Sequence, residues 1–221
     1  MTGGVLALLF GDPFAAMNTV GLVAFALVGA SKAVREEFDL FGVAVVGLAM
    51  AFAGGVTRDL LVVRVPLALR SPVEILLGLA GVALAVGLST RLSSPDEHPL
   101  TVAADAVGLA AFATTGAIVA TGAGVSAFGV VAVATINAVG GGALADILLD
   151  RAPFILFEDF YASCAVSGGV AYWLVGTLGA PSGLAAATCA AVTVGVRLLA
   201  VAYGWRLPTA GELDERISER L

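Results

Sequence analysis

Seven runs of about twenty apolar residues occupy most of this 221-residue sequence, at roughly 14–31, 41–63, 72–91, 101–121, 125–149, 156–178 and 182–203. A helix of that length bridges the hydrocarbon of a bilayer. In lipid no water satisfies the backbone, so an apolar run this long crosses as a helix, with every peptide group bonded inside its own segment. Composition agrees. Charged residues are 13% of the chain and mean hydropathy is +1.01, whereas soluble domains carry about 25% charge. The fold class expected is an all-α membrane protein with seven transmembrane helices. The breaks between runs hold charge, proline or glycine: KAVREEFD, RVPLALRSP, RLSSPDEHP, TGAG, DRAP and GAPSG. Residues 204–221 read as a solvated C-terminal tail, and MTGGVLALLFGDPF does not read as a cleaved signal.

Charge orients the spans. With the N-terminus outside, the inner loops hold Lys32, Arg35, Arg91, Arg151, Arg206, Arg216 and Arg220, and the outer loops only Arg64 and Arg70. Basic residues favour the cytoplasmic side, which predicts a multi-pass protein of the cell membrane with the N-terminus out and the C-terminus in. The net charge is −6 and no basic patch appears, so nucleic acid is not an expected partner. The two cysteines, Cys164 and Cys189, have no metal-ligand spacing. No nucleophile–base pair stands out, so neither an enzyme nor a cofactor is expected.

The chain repeats itself at an offset of 87 residues. VGLVAFALVGA (20–30) falls on VGLAAFATTGA (107–117), FGVAVV (41–46) on FGVVAV (128–133), and AGGVTRDLLVVRVP (53–66) on GGGALADILLDRAP (140–153); 20 of the 49 positions from 18–66 are identical to 105–153. Each copy holds three spans, 14–91 and 101–178, and an odd number inverts the second copy relative to the first. The seventh span, 182–203, has no counterpart and is expected at the periphery.

Gly54 and Gly55 in span 2, and Gly140, Gly141 and Gly142 in span 5, lie mid-span. Glycine weakens a helix interior by about 1 kcal/mol against alanine, and clusters mark kinks or breaks. Matched interruptions predict a polar path between spans 2 and 5. Asn18, Thr57, Arg58, Asp59, Asp105, Thr114, Asn137 and Asp146 supply its polar groups, because ions in lipid are costly and should face inward. Packing glycines and structural ion pairs (Asp59 with Arg64, Asp146 with Arg151) are the alternative reading of the same residues. GGVTRDLLVVRVP also looks like a nucleotidyltransferase signature, but the apolar setting and the lack of a following Asp-x-Asp argue against it.

The doubled Gly-Gly…Asp…Arg-x-Pro pattern on three plus three plus one spans resembles the prokaryotic branch of the trimeric intracellular cation channel family, also filed as a putative glycine transporter domain. The resemblance implies homotrimers with a pore in each protomer, helices 2 and 5 kinked at the glycine motifs, and passage of monovalent cations, chiefly K⁺. Membrane lipid is the other partner implied. A secondary transporter of a small neutral solute such as glycine is the rival that the same architecture allows.

Overall fold

The computed structural model describes residues 12–90, 99–156 and 160–207. Among these the chain forms α1 (Pro13–Arg35), α2 (Leu40–Leu61), a short α3 (Leu67–Arg70), α4 (Pro72–Ser89), α5 (Pro99–Gly122), α6 (Ala127–Leu148), α7 (Tyr161–Thr177) and α8 (Ser182–Tyr203), with one 3₁₀ turn at Phe154–Leu156. Six of these, all but α3 and α7, are long and apolar enough to cross a membrane. α7 has 17 residues, about 26 Å of helix at 1.5 Å per residue. It starts at Tyr161 rather than near 156, because the chain first makes the 3₁₀ turn after Pro153. The tail beyond 207 lies outside the described residues.

Local chemistry sets the ends. Asp12 accepts from the Phe14 N–H at 3.0 Å ahead of Pro13, and Asp39 caps α2 through the Gly42 N–H at 2.7 Å. Ser126 caps α6 the same way through Gly129. α2 and α6 close with matched left-handed residues, Val63 (φ 57) and Asp150 (φ 55). The Arg64 N–H then reaches back to the Asp59 carbonyl, and the Arg151 N–H to that of Asp146, each at 2.8 Å.

α1 packs on α2, α4 and α5, α5 on α6, and α2 on α6. α5 is the central helix, with 67% of its most apolar stretch buried against 22% for α4. The contacts joining the two groups of helices are reciprocal at the 87-residue offset. A Cβ on Gly54 would lie 2.0 Å from the Asn137 carbonyl oxygen, and one on Gly141 1.9 Å from that of Met50. Likewise Gly21 faces the Phe112 ring and Gly108 the Phe25 ring, and those two rings meet edge to face at 5.0 Å.

One expectation is corrected here: the spans are not interrupted at the glycines. α2 and α6 run as continuous helices through Gly54, Gly55, Gly140, Gly141 and Gly142. The helices are not broken there; Gly54 and Gly141 are small so that two backbones can touch. The seventh span packs through one face, with 33% of its most apolar stretch buried. α8 lies on α5 and α7 and buries Ala185, Ala186, Cys189, Thr193, Arg197 and Ala200 along one face. The equivalent glycines Gly81 and Gly168 record the difference: Gly81 presses on α1 at Val23, and Gly168 on α8 at Thr193.

Because a methyl group at Gly54 or Gly141 would collide with backbone, Gly54→Ala and Gly141→Ala should each destabilise the purified protein by about 1–3 kcal/mol, the usual cost of overpacking. Gly195→Ala in α8 meets nothing within 4 Å and should leave the melting temperature in detergent unchanged or higher.

Candidate functional site

Two polar clusters sit at opposite ends of the α2–α6 crossing, built from equivalent residues of the two copies. In the first, the Arg58 guanidinium binds Asp59 through Nη2 at 2.7 Å and Nε at 2.8 Å and lies 5.4 Å from the Phe14 ring centroid. Asp59 turns its second oxygen to the Leu67 N–H at 2.9 Å, tying α2 to the start of α3. The Asn18 amide donates to Glu74 at 2.7 Å. In the second cluster, Lys32 binds Asp146 at 2.9 Å and stands 5.0 Å from the Phe154 ring. Asp146 accepts from the Phe154 N–H at 3.1 Å, and the Tyr161 hydroxyl donates to Asp105 at 3.0 Å. Each aspartate thus does the same two jobs: it neutralises a buried cation and fixes the turn after its helix.

The partners differ from those expected. Asp59 pairs with Arg58 rather than Arg64, and Asp146 with Lys32 rather than Arg151, whose guanidinium instead binds Glu36. Arg64 and Arg151 stand beyond the left-handed residue, where the chain has already turned away from the helix end. Burial also differs between the pairs: the Arg58 side chain is 2% exposed and the Lys32 side chain 20%.

Between the clusters Asn137 is fully buried, its amide donating to the Phe112 carbonyl at 2.5 Å and to Thr115 Oγ1 at 2.9 Å. Thr114 points elsewhere, to the Ala110 carbonyl and Cys189, so Thr115 takes the place expected of it. Thr57 is exposed and bonds the Ala53 carbonyl of its own helix; it joins neither cluster. Arg58, Asp59, Arg64, Arg70 and Phe14 line an open cavity of about 160 Å³. Deeper, Asn18, Gly55, Arg58, Asp59, Glu74 and Phe112 surround a space of about 20 Å³, enough for roughly one water. At Gly54 and Gly141 the two helices touch, and no gap separates them.

Sequence reasoning missed four residues in and around these clusters. Lys32, the one lysine in the chain, counts in the sequence only as a basic residue of the inner surface. Tyr161 and Glu74 become visible as partners only when position 74 is set on 161 at the 87-residue offset. Arg197 is the one charge inside an otherwise uncharged span, which is signal enough.

The helices and their exposed apolar faces define a multi-pass membrane protein. The profile of the glycine transporter family matches twice, over residues 15–90 and 102–177, at the same offset of 87. Relatives include a UPF0126 membrane protein of Deinococcus radiodurans, 38% identical over 72% of this chain and 74% of its own. YvgT of Bacillus subtilis is 34% identical over 87% of this chain and 94% of its own. Among solved structures, one from work on conductance through TRIC cation channels has a TM-score of 0.79 and 37% identity, covering 88% of this chain and 95% of that one. The TRIC trimeric intracellular cation channel orthologue from Rhodobacter sphaeroides has a TM-score of 0.81 and 29% identity, covering 87% and 98%. The chain belongs to this family, the prokaryotic branch of the TRIC channels, which the glycine transporter profile also describes.

Removing one partner of a buried ion pair strands the other, at a cost of about 3–5 kcal/mol. Asp59→Ala strands Arg58 and should cost that much. Asp146→Ala should cost less, because Lys32 can extend its amine toward the membrane surface. Thermal unfolding of the two variants in one detergent measures the difference.

Proposed function

We propose that this protein is a passive channel for monovalent cations, chiefly K⁺, working as a homotrimer with a path inside each protomer. The observation that carries this reading is the likeness to solved TRIC cation channels, at 37% identity over 88% of the chain. The two matched clusters agree with it. On this reading the path enters at the open cavity, passes Arg58–Asp59, skirts Asn137 and leaves by Lys32–Asp146. It is closed in this conformation where Gly54 and Gly141 bring α2 and α6 together, and opening separates them. Carboxylate, amide and carbonyl oxygens replace part of the ion's water shell along the way.

The architecture that goes with this function is seven spans: two three-helix units, 14–91 and 101–178, inverted relative to each other about an axis in the membrane plane, plus α8. Reciprocal contacts such as Gly54–Asn137 and Gly141–Met50 are what a two-fold relation makes. The excess of Lys and Arg on one side supports the N-terminus outside and the C-terminus in the cytoplasm.

Purified protein in liposomes should carry a K⁺ flux that follows the gradient and does not saturate at millimolar solute. Folded Asp146→Ala protein should carry less. Saturable glycine uptake coupled to an ion gradient, with no channel currents, would make the protein a transporter instead.

A further inference from the structure

α8 has no equivalent in the repeat: the family profile ends its second match at residue 177. Yet α8 sends a cation into the bundle. Arg197 is buried, and its guanidinium stands 4.7 Å from the centroid of the Tyr161 ring. The hydroxyl of that ring donates to Asp105 at 3.0 Å, so guanidinium and carboxylate share one phenol. A cation inside an apolar span is expensive and calls for an anion nearby. Among the described residues, Asp146 nearby is already bound to Lys32 and to the Phe154 N–H, and Glu36 to Arg151. At the opposite end the position matching Asp105 is the neutral Asn18, and the acid bonded to it, Glu74, holds the position matching Tyr161.

We propose that Arg197 is the fixed counter-charge of Asp105, and that α8 thereby sets the net charge a permeating cation meets at the Lys32–Asp146 end. The inference rests on the channel reading above. The second copy of the repeat carries an acid where the first carries an amide, and the added helix offsets it. Arginine suits the role because its flat cation stacks on an aromatic ring while staying charged.

The test uses the full-length protein in planar bilayers under asymmetric KCl, reading the K⁺ over Cl⁻ permeability ratio from the reversal potential. R197Q should raise the ratio and the low-salt K⁺ conductance by about two-fold or more. The effect should shrink at about 1 M KCl, where the screening length is roughly 3 Å. R197K, which keeps the charge, should behave as wild type, and R197Q/D105N should return to wild type rather than show the sum of its two single changes. If R197Q fails to fold, recovery of folded protein on adding D105N supports the pairing, and failure to recover it overturns it. R197Q that conducts with a wild-type ratio at low salt overturns the inference and leaves the channel reading intact. Wild-type protein that passes no K⁺ current overturns the channel reading, and this inference with it.

Discussion

Two carbonyl oxygens pressed against two glycines hold the architecture together. Asn137 O lies over Gly54 and Met50 O over Gly141, so α2 and α6 cross with their backbones in contact. Lipid gives apolar helices no reason to associate with each other rather than with acyl chains, so close fit must do it. Everything polar is arranged around this crossing. Asn137 is locked at the centre by Phe112 and Thr115, and each aspartate falls at the far end of its helix, at the last turn. The edge-to-face pair of Phe25 and Phe112 repeats the device one layer out, each ring resting on the other copy's glycine.

Buried charge is tolerated here because every aspartate at the crossing ends serves two donors. Asp59 takes Arg58 with one oxygen and the Leu67 N–H with the other; Asp146 takes Lys32 and the Phe154 N–H. Full use of both oxygens is what makes a buried carboxylate affordable. The cations differ, and so does their origin. Arg58 precedes its aspartate on the same helix, whereas Lys32 comes from α1, 114 residues away in sequence. Function that depends on moving charge would therefore find the two ends unequal: a stiff, dry pair at one and a longer, wetter tether at the other.

Much of this was legible in the sequence. Apolar run length located the long helices to within about five residues, since hydrocarbon thickness is a hard ruler. The offset of 87 also placed Asp59 with Asp146 and Asn18 with Asp105 in equivalent settings. What was not legible were the partners. Whether Asp59 meets Arg58 or Arg64 depends on a left-handed residue at Val63, and valine is a residue from which no one reads a left-handed turn. The glycines were ambiguous for a related reason: the same residue permits a bend and permits contact, and only the neighbour's position decides. Thr114 and Thr115 differ by one step on a helix, about 100° of rotation, which composition cannot resolve.

The lone lysine has a practical consequence. Lys32 is held by Asp146 and sheltered by Phe154, so a reagent that acylates amines finds a single side-chain target in the whole chain, and finds it guarded. Any rearrangement that loosens that end of the bundle would unmask it. The protein thus carries its own chemical reporter, one whose rate of labelling follows how often its lysine tether lets go.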